Sequence, residues 1–350
     1  MNDDRQLNSS ASCAEPLGQM PQLPGREARG RTQAGQDQAV WRIQDFVRRF
    51  GIYLALLLLI VVSTILSPGF LKSKNLLVLS RQASMLGIVA VGQTFVILGG
   101  GIDLSVASVM AVVSVLTANL MEGQDSRVLL ISLACLALAT LIGLINGTMI
   151  TKFKIAPFIM TLGMILIVQG ARFVYTGGAP KGSIPPIIRF WGRGLIGPIP
   201  TSVIIFILVV VVAAIVLSKT TFGRQIYAVG GNAKVAHLSG VYVDRVVIAT
   251  YAICSFLAGL AGLVLTGYIG LADNWLGRGY ELDSIAAVVI GGASLQGGRG
   301  NIWGTVAGVL IIAILFNVVL RLTLPEETQR IIKGATILAA VAIYSATRRQ

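Results

Sequence analysis

Long apolar runs separated by short charged clusters limit what this chain can fold into more than any other feature. The stretches 128–150 and 203–217 contain no charged residue, and about 20 apolar helical residues are enough to cross a hydrocarbon core about 30 Å thick. Only 12% of the residues are charged and the mean hydropathy is +0.79, whereas a water-facing domain keeps about a quarter of its residues charged. The pattern predicts an all-α polytopic membrane protein. Spans are expected near 51–66, 76–99, 103–121, 128–150, 157–176, 201–218, 246–270, 281–294, 302–321 and 329–345, which makes about ten transmembrane helices. The apolar core of the 281–294 span, Ile285–Ile290, is short and runs straight into Gly291-Gly292. It reads as a broken or re-entrant helix, which is tolerated at membrane depth only where it is buried in protein or lines a cavity.

The charges set the expected orientation. Arg42, Arg48 and Arg49 precede the first apolar run, and basic residues collect on cytoplasmic loops. Residues 1–49 then form a cytoplasmic tail, too polar and aperiodic to fold, ahead of a membrane domain over 50–345 and a short cytoplasmic tail at 346–350. Crossing by crossing, Lys152, Lys154, the basic segment 219–245 and Arg299 fall inside, while Glu122, Asp125 and Asp273 fall outside. Lys72, Lys74, Lys181 and Arg189 are on the minority side. The net charge of +13 is thereby explained by topology and not by nucleic-acid binding. Cys13, Cys135 and Cys254 match no metal or disulfide framework.

A weak repeat relates Gly101-Ile102-Asp103-Leu104-Ser105 to Tyr280-Glu281-Leu282-Asp283-Ser284, each opening a span. Five spans per half is an odd number, so duplicated halves would lie in opposite orientations, two inverted five-helix repeats with some helices short or broken.

No catalytic constellation stands out. His237, the sole histidine, lies in a polar loop, and the absence of any Gly-Lys dipeptide excludes a P-loop in this chain. The intramembrane polar residues carry more weight, since a charge at the bilayer centre costs at least about 2.5 kcal/mol. Asp103, Ser105, Glu281 and Asp283 lie near span ends, where they either cap helices or stand beside a translocated substrate. Asn119, Asn146, Gln169 and Asn317 either bond helix to helix or line a polar path. The glycine-rich run 291–304 reads as a tight turn in preference to an anion nest.

Four blocks in order carry a family resemblance: Gly100 to Ser108 (GGIDLSVAS), Lys154 to Gly178 (KIAPFIMTLGMILIVQGARFVYTGG), Thr221 to Val241 (TFGRQIYAVGGNAKVAHLSGV) and Gly279 to Gly308. Together they make the chain resemble the membrane permeases of bacterial ABC importers for monosaccharides of the ribose, xylose, arabinose and galactose type. The resemblance implies a multi-pass inner-membrane permease that binds no cofactor and is not itself an enzyme. Its implied partners are a cytoplasmic ABC ATPase carrying ATP and Mg, a periplasmic sugar-binding protein, a second permease copy and the lipid bilayer. It also makes 219–245 the ATPase-coupling loop, with Gly230, Gly231, Asn232, Ala236, Ser239 and Gly240 as its motif positions. Here the family pattern is broken by Lys234-Val235 and by His237 where Arg is common. The competing reading is a self-sufficient proton- or ion-coupled carrier or channel, in which Asp103 or Glu281 would carry protons.

Overall fold

The computed structural model describes residues 51–321 and scattered positions between 325 and 335. The expected N-terminal tail, the tenth span at 329–345 and the C-terminal tail lie outside, or almost wholly outside, the described residues. Within them the chain is helical: α1 (Gly51–Leu66), α2 (Ser73–Leu98), α3 (Val106–Met121), α4 (Val128–Lys152), α5 (Pro157–Thr176), α6 (Pro186–Arg193), α7 (Thr201–Lys219), α8 (Thr221–Gly231), α9 (Ala233–Leu238), α10 (Val243–Ile269), α11 (Tyr280–Ile290) and α12 (Ile302–Arg321). A two-residue hairpin, β1 (Leu195–Ile196) with β2 (Ile199–Pro200), is the only sheet among the described residues.

Among the described residues, six helices are long and apolar enough to cross a membrane: α2, α4 (with the 3-10 turn that leads into it), α5, α7, α10 and α12. Three expected spans are shorter. Helix α3 has 16 residues and α11 has 11, lengths of about 24 and about 16 Å at 1.5 Å per residue, and α1 is also in the short class. The sequence places a span start at Asp103; the chain instead has no regular structure through Ile102–Leu104 and becomes helical only at Val106. Helix α11 likewise stops at Ile290 and a turn-rich stretch follows to Asn301.

Helices α2, α10 and α12 form the interior, each about two-thirds buried or more over its most apolar window, whereas α4, α5 and α7 turn most of theirs outward. Leu129, Leu130, Ile167 and Val174 are among the exposed apolar side chains, as expected of a surface solvated by lipid tails. Without a hydrophobic drive between helices in lipid, close approach through small residues holds them together. A Cβ at Gly143 would strike the backbone of Tyr251, one at Gly147 would meet Ile248 Cα at 2.6 Å, and one at Gly259 would meet the Ala139 Cβ at 2.7 Å. Small residues thus set the α4–α10 seam.

The connections sort into two ends. At one, which we call the junction end, Lys152 pairs with Asp244 at 2.9 Å and the Gly298 N–H donates to Leu98 O at 2.9 Å. At the opposite, cavity end, Gly123 N–H donates to Ser183 O at 3.0 Å and Asn274 Nδ2 to Gly178 O at 3.1 Å. The loops with Lys152, 219–245 and Arg299 therefore share one end, and those with Glu122, Asp125 and Asp273 share the other, the grouping expected from charge.

The segment 177–200, which the sequence leaves as a plain loop, contains α6. Pro185-Pro186 starts this helix, and Gly192 and Gly267 let it lie backbone to backbone on the last turns of α10. Arg193 ends it and donates to Tyr268 O and, at 2.6 Å, to Ile269 O, so a guanidinium satisfies the terminal carbonyls of α10.

Candidate functional site

The irregular segment before α3 brings Asp103 to the middle of the bundle. Its side chain is 0% exposed, and Ser255, near the centre of α10, lies 3.5 Å from Oδ2. Ser105 donates to Oδ1 twice, from its N–H at 2.9 Å and its Oγ at 2.6 Å, and Asn146 Nδ2 on α4 donates to Ser105 Oγ at 3.0 Å. Gln93 on α2, with its amide nitrogen turned toward the Asp103 carbonyl, donates to that oxygen and accepts from the Asp103 N–H, both at 3.1 Å. Tyr251 Oη donates to Ile102 O at 3.1 Å. A buried non-helical segment has no helical partners for its peptide groups, and these side chains supply some of them. Of the residues singled out in the sequence, Asp103, Ser105 and Asn146 come together here; Gln93, Tyr251 and Ser255 join them unforeseen.

The other pathway candidates are dispersed. Asn119 accepts from Tyr175 Oη at 2.6 Å, tying α3 to α5. Asn317 and Asn75 exchange reciprocal amide bonds at 3.0 and 3.1 Å between α12 and α2, the interhelical role. Glu281 and Asp283, two residues apart on α11, serve different cavities. Asp283 borders one of about 250 Å3 with Gln82 and Tyr280. Glu281 borders one of about 310 Å3 at the cavity end, between α3, α5 and the α10–α11 connection.

Ser108, Gln169, Arg172, Asn274 and Arg278 line that larger cavity with Trp275 and Glu281. Arg278 lies over the Trp275 ring at 5.2 Å, Phe173 meets the same ring edge-on at 5.6 Å, and Gly279 N–H holds Glu281 Oε2 at 2.8 Å. Gln169 was flagged by sequence. Arg172, an arginine well inside an apolar run and inside one of the four blocks quoted above, was not, although intramembrane arginines are rare and costly enough to be a signal by themselves.

At the junction end the 219–245 segment folds into α8 and α9. Thr220 and Asn232 cap them: Thr220 Oγ1 accepts from Gly223 N–H, and Asn232 Oδ1 accepts from Lys234 and Val235 N–H at 3.0 and 3.1 Å. Ser239 Oγ donates back to Val235 O at 3.0 Å, and Gly240 takes φ +84° to end α9. Ala236 is buried and anchors α9 to the bundle core. The free face therefore consists of Lys234, Val235 and Leu238, the last 79% exposed, with Tyr242 beside them.

Three segments meet just behind α9 with almost no side chain between them. A Cβ on Gly230 would collide with Leu98 O and lie 2.5 Å from Gly298 N. One on Gly297 would lie 2.8 Å from Gly230 O and 2.9 Å from the Gly100 backbone, and one on Gly298 2.7 Å from Gly231 Cα. Tyr227 Oη on α8 donates to Gly300 O at 3.0 Å, and burial raises its pKa above the usual tyrosine value, so it stays a neutral donor. Several amides of the 291–301 turn are taken up within the fold, Ser294 N–H on Arg299 O, Gly297 N–H on Ser294 O, Gln296 N–H on Ser294 Oγ and Gly298 N–H on Leu98 O, as in a tight turn. This glycine junction joins α8 to the segment leading to Asp103 and to the turn following α11.

A family profile described as branched-chain amino acid transport system / permease component matches residues 75–341. Over 299 residues, 85% of this chain and 92% of the relative, the chain is 43% identical to the ribose import permease protein RbsC of Bacillus subtilis. It is 37% identical over 295 residues to the fructose import permease protein FrcC of Rhizobium meliloti, covering 81% of each chain. It is 34% identical over 318 residues to the galactose/methyl galactoside import permease protein MglC of Escherichia coli, covering 86% of this chain and 95% of the relative. No solved structure matches.

Proposed function

The chain belongs to this family of transport-system permease components, and from that premise we propose that it is the membrane subunit of an ATP-driven importer that carries a monosaccharide by alternating access. ATP and Mg are held by a separate ATPase, and the sugar is delivered by a periplasmic binding protein. The observation that carries the reading is the glycine junction, since it packs the end of α8 through bare backbone against the segment leading to Asp103 and the turn after α11.

In this reading the junction end faces the cytoplasm and the ATPase docks on Lys234, Val235, Leu238 and Tyr242. Its closing and opening shift α8, and the shift passes through Gly230 to the Gly99–Ser105 segment and the 291–301 turn. The cavity end faces the binding protein. The remaining architecture follows as part of the same proposal: ten spans in two opposed halves, both termini in the cytoplasm, residence in the inner membrane and a second permease copy. Selectivity for one sugar need not be strong in the permease when the binding protein supplies affinity.

The test is reconstitution. Proteoliposomes containing the permease, its ATPase and its binding protein are expected to take up ribose, fructose or galactose only with ATP inside the ATPase compartment. Uptake driven by an imposed proton gradient with no ATPase present would establish the self-sufficient carrier instead.

A further inference from the structure

Helix α6 and the hairpin after it carry an apolar surface that no described residue covers. Ile188 and Gly192 face α10 and are buried, whereas Ile187 and Phe190 are exposed. In the hairpin, Leu195, Ile196 and Ile199 are 46%, 53% and 46% exposed, and the run Leu195–Pro200 contains no charged or hydrogen-bonding side chain. Arg189 and Arg193, four residues apart, share the other flank of α6. Arg193 is committed to the last carbonyls of α10, while among the described residues Arg189 engages only its Nε, on Ile184 O at 3.1 Å.

The neighbours of this surface fix its depth. The hairpin ends at Pro200 and α7 starts at the next residue. The 19 residues of α7 measure about 28 Å at 1.5 Å per residue, close to a hydrocarbon core about 30 Å thick, so α7 has no length to spare and its first turn lies at the lipid boundary. Thr201 N–H donates to Gly194 O at 3.1 Å, which keeps the base of the hairpin at that level. Helix α6 is itself recessed into the bundle. Gly192 lies against the backbone of Gly267 and Tyr268, within the last turns of α10, and Arg81, eight residues after the start of α2 at Ser73 and thus about 12 Å along it, donates to Arg193 O at 2.6 Å. From this placement we infer that α6 and its hairpin form an in-plane membrane anchor in the leaflet at the cavity end. Ile187, Phe190 and the hairpin tip sit among the upper acyl carbons, and Arg189 with Lys181 meets phospholipid phosphates, the division of faces that holds an amphipathic element at an interface. Basic side chains on such an element reach from apolar surface up to the phosphate level. Lys181 and Arg189, two of the cations on the minority side of the charge pattern, thereby acquire a role. A soluble partner would have to leave three half-exposed aliphatic residues in water until it docked, whereas lipid is already present where α7 begins. Through Gly192 and Arg193 the anchor ties the end of α10 to the leaflet.

The experiment keeps the full chain, with Cys13→Ser so that only the buried Cys135 and Cys254 remain, and places one nitroxide at Phe190→Cys or at Ile196→Cys in vesicles of phosphatidylethanolamine and phosphatidylglycerol. Both labels are expected to be broadened more by oxygen than by a water-soluble nickel chelate, at a depth of about 5–10 Å into the headgroup–acyl boundary. Stronger broadening by the chelate at either position overturns the inference, because the surface then faces water and is open to a soluble partner. Restricted spectra sheltered from both reagents overturn it as well, because protein then covers the surface, either a second copy or another part of this chain. A second measurement covers labelled chains that fail to fold. Trp191 is on α6 and partly exposed. Its emission, taken as the difference between wild type and Trp191→Phe, should be quenched more by lipids brominated near the headgroup end of the acyl chain than by lipids brominated near the methyl end. Stronger quenching by the deep bromines, or no quenching by either, overturns the anchor.

Discussion

The two ends of the bundle are held together by different means. At the junction end, Gly100, Gly230, Gly297 and Gly298 bring three segments into contact through bare backbone. At the cavity end the glycine contact of α6 with α10 is joined by fastenings through polar side chains: Arg193 on the last carbonyls of α10, Arg321 on Ser67 Oγ at 2.8 Å and Pro68 O at 3.1 Å, and the Asn75–Asn317 amide pair. Backbone contacts tolerate no added atom but demand no particular chemistry. Side-chain fastenings tolerate changes of size but fail when a donor or acceptor is lost. A device that transmits a displacement needs the stiffness of the first kind, and an opening that admits polar cargo suits the second.

Adjacent glycines test the stiff end most sharply. Gly230→Ala places a methyl group against Leu98 O and Gly298 N, and neither backbone can move aside without moving its segment. ATP-driven uptake is expected to fall by more than ~100-fold. Gly231→Ala meets nothing within 4 Å and should transport within about twofold of wild type. Near-normal uptake in Gly230→Ala would dissolve the contrast between the ends. Tyr227→Phe removes only the bond to Gly300 O and should reduce uptake about two- to fivefold with the protein intact.

Next in size is the free face of α9. Leu238→Glu changes a side chain 79% exposed, so the fold should persist while retention of the ATPase during purification drops ~10-fold. A charge at Ala236 would instead enter the core to which α9 is anchored, and its loss of ATPase binding would report unfolding of α9. Full retention by Leu238→Glu would move the docking surface elsewhere.

Asp103 lies between the ends and could obey either rule. As the fastening of a non-helical segment, its Oδ1 is what matters, because it receives both Ser105 bonds. Asp103→Ala should then cost about 1–3 kcal/mol of stability through orphaned donors, read as a fall in thermal midpoint, and Asp103→Asn should recover most of it together with uptake. Recovery of stability without recovery of uptake would make the carboxylate part of the transport path.

How much of this was legible in the sequence follows from the type of contact. Membrane-length helices declare themselves because lipid imposes apolarity along the whole element, and α4, α5, α7 and α12 lie within two residues of the expected bounds. The short α3 was overestimated because Asp103-Leu104-Ser105 follows an apolar pattern that helix and irregular chain share; the buried partners Gln93 and Ser255, on distant elements, leave no trace in the local sequence. The α6 helix escaped because its stretch carries no apolar run, and its hold on α10 rests on Gly192 and Gly267, whose lack of a side chain leaves no periodic trace. Asp103, Ser105 and Asn146 were flagged by polarity in an apolar setting. Gly230, Gly231 and the glycine-rich run 291–304 were each singled out, but not that they meet, since contact between bare backbones leaves no pattern in the sequence.

The smallest expected effect belongs to the cavity end. Asn75 and Asn317 exchange two bonds, and Asn75 Nδ2 also reaches Phe70 O at 2.8 Å. Either Asn→Leu change alone leaves a buried amide facing hydrocarbon, whereas the double change replaces both partners by apolar groups and can be close to neutral. Coupling across such intramembrane pairs averages ~0.6 kcal/mol, so a double-mutant cycle on thermal stability should show the double variant losing less than the two single losses added together. Strictly additive losses would mean the two amides act separately. The side-chain fastening of the cavity end would then lean on Arg193 and Arg321, and the contrast with the glycine junction would narrow to them.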